Sequence, residues 1–238
     1  MTAFILAAGK GTRLGPLTDS LPKALVPLGN TVMLDALIER LARSGVTNIV
    51  LNAYHLAGKV LRHVRATSYP VPVNVVEETR LLGTGGAIRN AATYFPPCES
   101  VLVHNVDILS DIDLDELWKA HADAAALVTL AVNRRETDRP LLVTDDMQFA
   151  GKAAWMPESE HGTYRKFGYT GIQVISTSVL RFFPRGAYDV FECYRHVLER
   201  GGTIAVHDIG EAFWIDLGTP DNLRKGIQWL ESTRQSGG

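Results

Sequence analysis

Cysteine is nearly missing from this 238-residue chain: Cys98 and Cys193 are its only two, and they lie far apart. Their scarcity excludes a disulfide framework or a cysteine-rich zinc site and points to reduced thiols in a cytoplasmic protein. No apolar run approaches the ~20 residues of a membrane-spanning helix. The N-terminus also lacks a basic region followed by a long apolar stretch, so no membrane partner and no secretory signal are expected. Charge of one sign is lacking too, since 24 Lys and Arg stand against 26 Asp and Glu, a formal net charge of −2. Such a chain has no global basic field to recruit nucleic acid, so an anionic ligand must be held by local cations, backbone N–H groups or metal. None of the seven histidines falls in a recognisable triad or metal cluster. There is no internal repeat, linker or low-complexity segment. What is left is 46% hydrophobic, ample for the core of a soluble globular protein.

The most informative stretch runs from Phe4 to Pro27. Phe4 to Ala8 is a short apolar run, the pattern of a strand buried on both faces. Gly9-Lys10-Gly11-Thr12-Arg13 follows where a helix would otherwise begin. Its glycines let backbone N–H groups approach an anion closely, with no Cβ in the way. Arg13 adds a planar fork for phosphate oxygens, and Lys23 a compact point charge. Pro16 and Pro22 keep the segment between them from continuing as a helix, which predicts a long functional loop. A Walker A loop is excluded because Gly11 follows Gly9-Lys10. A dinucleotide fingerprint is excluded because Gly9, Gly11 and Gly15 are spaced one residue too long, and the second strand ends in Asn52-Ala53-Tyr54 with no acidic residue.

Downstream, the spacing predicts a helix over Thr31–Ser44 stopped by Gly45, a strand over Val46–Leu51, a helix over His55–Arg65 and a strand over Val71–Val76. Short connections in a β-α-β-α-β order argue for an α/β fold with a mostly parallel sheet covered by helices. Leu82 to Ile88 is a second glycine-rich turn opening a helix that runs to about Tyr94. Ser100–His104 is a buried strand that delivers Asn105-Val106-Asp107 at its carboxyl end, where ligands sit in open α/β sheets. Asp111, Asp113, Asp115 and Glu116 read as a helix N-terminus, with Asp113 as cap for Leu114–Ala122. Ala126–Val132 is a strand, Leu141–Thr144 and Met147–Ala150 form a hairpin, and Phe167–Ile175 is another strand. A helix over Tyr188–Arg200 and a strand over Thr203–Val206 precede Trp214 to Pro220. There Thr219 caps the last helix and Pro220 is its first residue. Residues 235–238 are expected to fray.

Leu6 to Leu14 followed by Pro22-Lys23-Ala24-Leu25-Val26-Pro27 resembles the signature of the sugar-1-phosphate nucleotidyltransferases, the nucleotide-sugar pyrophosphorylases. Leu82-Gly83-Thr84-Gly85-Gly86-Ala87-Ile88, Asp107, Phe167 to Val174 and Trp214 to Pro220 resemble that family's later motifs, in the same order. The resemblance implies a Rossmann-like three-layer αβα sandwich with a mostly parallel mixed central sheet. It also implies a single domain over 1–238, with a nucleotide-binding half at about 1–110 and a sugar-binding half at about 111–234. Nucleotide contacts are implied for Leu6, Ala7, Ala8, Gly9, Gly11, Thr12, Arg13, Gly83, Thr84 and Gly85. Sugar contacts are implied for Asn105, Tyr169, Thr170 and Gly171. Mg²⁺ is the implied cofactor, held by Asp107 and Asp216, with Arg13 and Lys23 as catalytic cations. The pattern departs from the family at Val106, where glycine is usual, and at Arg80-Leu81, where several relatives have Glu-Pro. The lysine of the family's E-x-K-P element is missing, with Lys152 or Lys166 as loose substitutes. His161, Tyr164 and Arg165 read as exposed loop residues.

The implied reaction takes a nucleoside triphosphate and a sugar-1-phosphate and releases pyrophosphate. Its nucleophile is already an anion, so no catalytic Ser, Cys or His is needed. The compact chain resembles N-acetylmuramate-1-phosphate uridylyltransferases, and its Leu82–Ile88 stretch also resembles mannose- and heptose-1-phosphate guanylyltransferases. UTP with a hexose-type 1-phosphate is the first expectation and GTP the alternative, with Glu77 or Glu78 as the side chain that would read guanine. A non-catalytic, nucleotide-sugar-binding regulatory subunit is the reading from another class, disfavoured because Arg13, Lys23, Asp107 and Asp216 are all present. A monomer or small homo-oligomer is expected.

Overall fold

The N-terminal apolar run forms strand β1 (Thr2–Leu6), buried along nearly all its length. In this computed structural model, which describes residues 1–97 and 99–236, the chain continues as β2 (Pro27–Leu28), β3 (Thr31–Val32), α1 (Met33–Arg43), β4 (Asn48–Ala53), α2 (Ala57–Ala66) and β5 (Val73–Glu77). Next come α3 (Gly83–Asn90), β6 (Ser100–Asn105), β7 (Ile108–Ser110), α4 (Leu114–Ala124) and β8 (Val128–Asn133). The last part is β9 (Leu141–Val143), β10 (Phe149–Lys152), β11 (Arg165–Ser176), α5 (Val190–Glu199), β12 (Ile204–Asp208), β13 (Trp214–Asp216) and α6 (Pro220–Ser236). Cys98, expected as a reduced thiol, and Gly237 and Gly238 of the expected frayed tail lie outside the described residues.

Two compact units divide the chain, and they are interleaved in sequence. The first comprises Met1–Leu81, His104–Asp111 and Phe213–Gly238; the second comprises Leu82–Val103 and Ile112–Ala212. In the first unit β1, β4 and β5 run parallel, with Phe4 opposite Val50 and Val50 opposite Asn74. Parallel neighbours need crossovers, and α1 and α2 supply them. α1 buries Leu34, Leu37, Ile38 and Leu41 on one face. It stops as expected at Gly45, whose φ of +76° suits glycine and lets Val46 N–H bond back to Leu41 O at 3.1 Å. At the other end of the unit, Pro220 opens α6 and Thr219 Oγ1 accepts from Asn222 N at 3.3 Å, the expected cap.

The second unit is mixed. β12 runs parallel to β8, and β11 runs antiparallel to it. The early part of β11 pairs instead with β9, Phe167 lying opposite Leu141, and the register with β8 shifts between Tyr169 and Gln173. The expected hairpin is present as β9 and β10, with Phe149 opposite Val143. Asp113 caps α4, its carboxylate accepting from Asp115 N at 2.9 Å and Glu116 N at 3.0 Å.

The stretch after β1 differs from its sequence reading. The expected long loop is wound into 3₁₀ turns over Thr12–Thr18 and Lys23–Leu25. Gly11 and Gly15, with φ of +69° and +60°, let the chain reverse around Pro16, and Leu14 N closes on Gly11 O at 2.9 Å. The buried Leu14 anchors these turns among Val26, Leu28, Met33, Leu109, Leu217 and Leu223.

Candidate active site

The carboxyl ends of the first unit's strands bring four of the sequence-expected charges together. Arg13 leaves the 3₁₀ turn next to Leu14; the leucine is buried, so the arginine is turned outward, its side chain 59% exposed. Its Nη2 donates to Asp216 Oδ2 at 3.0 Å. Gly218 makes this approach possible. A Cβ there would lie 2.4 Å from Arg13 Nη2, so the guanidinium occupies the space a side chain would fill. Gly11 plays a similar part for Lys23, whose Cβ lies 3.1 Å from where a Gly11 Cβ would stand. Lys23 Nζ in turn donates to Asp107 Oδ2, with both side chains nearly buried.

A strand pairing not read from the sequence juxtaposes the two aspartates. β7 and β13 are antiparallel, with Asp216 opposite Ile108, the residue after Asp107. Leu217 N donates to Asp107 O at 2.8 Å and completes the link. The signal was weak: each strand has three residues, too few to show a period. Asp216 is further held by Gly218 N, which donates to Oδ1 at 2.7 Å, and by Asn222 Nδ2, which donates to its carbonyl at 2.8 Å.

Burial raises the Asp107 carboxyl above the ordinary carboxylate range; Lys23 opposes that, and the neighbouring Asp216 adds to it. Burial also pushes Asp216 upward, but the Arg13 bond, the Gly218 N–H and the hydrogen bond to Asp107 outweigh it and hold Asp216 below that range. Two carboxylates close enough to share a hydrogen bond make a donor set for a hard divalent cation, so these residues fit Mg²⁺. Among the described residues no cluster of three or more His, Cys, Asp or Glu is placed to hold a metal, so the remaining ligands would have to be phosphate oxygens or water.

The nucleotide-binding candidates Leu6, Ala7, Ala8, Gly9, Gly11 and Thr12 lie on the same unit. Leu6 O accepts from Val106 N at 3.1 Å, and Ala7 N donates to Asn52 Oδ1 at 2.7 Å. Asn52 Nδ2 donates to Glu78 Oε1 at 2.7 Å; both side chains are buried, and the bond between them was not foreseen from the sequence. Asn105 is half-buried, and its carbonyl accepts from His104 Nδ1 at 2.8 Å.

In the second unit, Gly83, Thr84 and Gly85 open α3. Thr84 Oγ1 accepts from Val190 N at 2.8 Å, and Gly85 N donates to Tyr188 O at 3.1 Å. Tyr169 is half-buried with its ring edge-on to Phe191, centroids 5.3 Å apart. Thr170 is fully buried and donates to Ala131 O at 2.7 Å, and Gly171, with φ of +83°, sits in the register shift of β11. Lys152 contacts Asp189 at 3.5 Å and lies over the Phe191 ring, and Lys166 is exposed.

Comparison with known proteins gives this geometry a context. Residues 2–142, more than half the chain, match the nucleotidyl transferase family. A mannose-1-phosphate guanylyltransferase of Mycobacterium tuberculosis is 28% identical over 94% of this chain, which spans 63% of that protein's length. The N-acetylmuramate α-1-phosphate uridylyltransferase of Caulobacter vibrioides is 26% identical, covering 92% of both chains. In fold, the chain matches HddC of Yersinia pseudotuberculosis complexed with GMP-PN with a TM-score of 0.77, covering 96% and 99% of the two chains at 22% identity. It also matches a putative glucose-1-phosphate thymidylyltransferase of Bacillus anthracis with a TM-score of 0.79, covering 96% and 95% at 17% identity. These matches agree with the expected Rossmann-like α/β fold, with a mixed, mostly parallel central sheet and flanking helices.

Proposed function

This chain belongs to the nucleotidyl transferase family, and we propose that it transfers a nucleotidyl group from a nucleoside triphosphate to a sugar-1-phosphate, releasing pyrophosphate. The observation that carries the proposal is the paired set Arg13–Asp216 and Lys23–Asp107, two cations and two carboxylates beside a glycine-rich turn. Joining two polyanions is an electrostatic problem, and this set addresses it. A sugar-phosphate oxygen forms a bond to the α-phosphorus, and the bond from the α-phosphorus to the bridging oxygen breaks, pyrophosphate leaving with the electron pair. Arg13 and the Gly9–Thr12 backbone N–H groups receive the developing pyrophosphate charge. Lys23 neutralises charge where nucleophile and α-phosphate meet. Asp107 and Asp216 would hold Mg²⁺, which supplies Lewis-acid polarisation of phosphate oxygens when bound. The base and sugar assignments of Gly83, Thr84, Gly85, Asn105, Tyr169, Thr170 and Gly171 belong to the same proposal. So do the cytoplasmic location and a monomer or small homo-oligomer. Among the described residues, no helix is long and apolar enough to cross a membrane.

UTP with a hexose-type 1-phosphate is the preferred substrate pair. Guanine needs acceptors for its exocyclic amine and N1–H, ideally a carboxylate, whereas uracil is satisfied by one backbone donor and one acceptor. Glu78, the nearest buried carboxylate in sequence before the Leu82–Ile88 turn, is bonded to Asn52, which supports uracil. An unpaired buried base donor costs about 1–3 kcal/mol, so kcat/KM for UTP should exceed that for GTP by about tenfold or more. The similarity to guanylyltransferases sustains GTP as the second reading. The test is a pyrophosphate-release screen over four nucleoside triphosphates and several sugar-1-phosphates. A GTP preference would replace the uridylyl assignment. Nucleotide binding without turnover on any pair would overturn the enzyme proposal in favour of a regulatory subunit.

A further inference from the structure

The buried pair Glu78 and Asn52 is not explained by the chemistry above. Glu78 is 5% exposed and Asn52 3%, and the two are joined at 2.7 Å. They sit at the ends of adjacent strands: Asn52 near the end of β4, Glu78 just past β5, with Glu78 N also donating to Ala53 O at 2.8 Å. Asn52 Oδ1 then takes the N–H of Ala7, the first residue beyond β1. The carbonyl of that same peptide unit, Leu6 O, is held from the other side by Val106 N, next to Asp107. One peptide plane is therefore clamped at both ends immediately before the phosphate turn.

We propose that Glu78 is a positioning residue for the phosphate turn, acting through Asn52 to orient the Leu6–Ala7 peptide; the inference rests on the function proposed above. The physical need is directional. A side-chain amide has an acceptor end and a donor end, and only its acceptor end can meet the Ala7 N–H. A carboxylate takes the donor end and so prevents the amide from turning over. Without that carboxylate, the NH₂ group could face Ala7 N–H, donor against donor, and the turn would lose its fixed starting plane.

Atom-by-atom exchange tests this. Glu78→Gln keeps an oxygen for Asn52 and should leave affinity for UTP within about threefold. Glu78→Ala should weaken UTP, GTP and inorganic triphosphate alike by roughly tenfold in calorimetry, because the clamped peptide sets the start of the phosphate turn, which serves any triphosphate whatever its base. Asn52→Asp sets two carboxylates against each other and should lose affinity. Adding Glu78→Gln should restore it, since the introduced amide then donates to the introduced carboxylate, which still accepts from Ala7 N–H. Hydrogen exchange at the Ala7 amide gives a readout independent of nucleotide: protection should fall in Glu78→Ala and in Asn52→Asp and return in the double variant. Unchanged Ala7 protection in Glu78→Ala, or a double variant no better than Asn52→Asp, would overturn the inference. An effect of Glu78→Gln on GTP alone would make Glu78 a base reader and overturn it too. If no variant, nor the parent, binds nucleotide while Ala7 protection follows the expected pattern, the functional proposal fails and the clamp stands.

Discussion

The two glycine-rich turns look alike in sequence, but Gly9 in the first and Gly83, Gly85 and Gly86 in the second stand in opposite surroundings. At Gly9 a Cβ would meet nothing within 4 Å. At Gly83, Gly85 and Gly86 it would come within 2.5 Å of Tyr188 O, 2.3 Å of the Tyr188 ring and 2.3 Å of Gly186 O. The second turn thus spends its glycines on close approach of its own chain, reinforced by the bonds from Tyr188 N to Leu82 O and from Val190 N to Thr84 Oγ1. Space left by a missing side chain marks a ligand surface only where the protein does not fill it.

That contrast makes the first turn and its charges a place where substitutions cost turnover, and the second a place where they cost stability. The greatest loss is expected for Asp107→Asn. Metal stabilisation of transition-state charge is worth several kcal/mol, so kcat should fall by about 10³-fold or more. Burial already disfavours the charged carboxyl, and asparagine keeps an acceptor for Lys23, so the melting temperature should move by only a few degrees. Near-normal turnover at saturating Mg²⁺ would remove Asp107 from the metal site. Arg13→Ala comes next, with kcat down roughly 10²–10³-fold and little change in stability, the scale of one lost transition-state donor. Arg13→Lys should recover only part, lacking the bidentate fork. A change confined to KM would make Arg13 a ground-state binding group.

Gly83→Ala carries both a positive φ of +69° and a backbone collision, and should destabilise by about 2–4 kcal/mol in urea unfolding. Gly9→Ala, by contrast, should stay within about 0.5 kcal/mol of the parent while weakening triphosphate binding. Equal loss of stability in both variants would erase the contrast. A further effect concerns pH. Burial, with Arg40 nearby, lowers the His104 pKa to about 3. The unfolded chain takes up that proton near pH 6.5, so the stabilisation is complete above that pH and erodes as pH falls toward 3. At pH 5.5 the loss should be about 1.4 kcal/mol, and His104→Gln should flatten the curve. His121 in the second unit, lowered by burial as well, would account for any slope that remains.

Much of this was legible in the residues. Apolar runs, the Gly45 stop, the Asp113 and Thr219 caps and the β9–β10 hairpin follow from local steric and hydrogen-bonding preferences. Arg13, Lys23, Asp107 and Asp216 could be named because their motifs lie in short, ordered stretches. The Asn52–Glu78 bond escaped notice because its two residues lie far apart in sequence, and the purpose of a buried polar group is written in its partner.

Which segments become strands and helices, and which charges are on hand, was settled along the chain, because both depend on neighbours a few residues away. Three-dimensional packing settled the rest: β7 and β13 bring Asp107 beside Asp216, Gly218 yields its space to Arg13, and Tyr188 fills the second glycine turn. Each of these is a contact between segments distant in sequence, set by the packing of strands and side chains that no local pattern records.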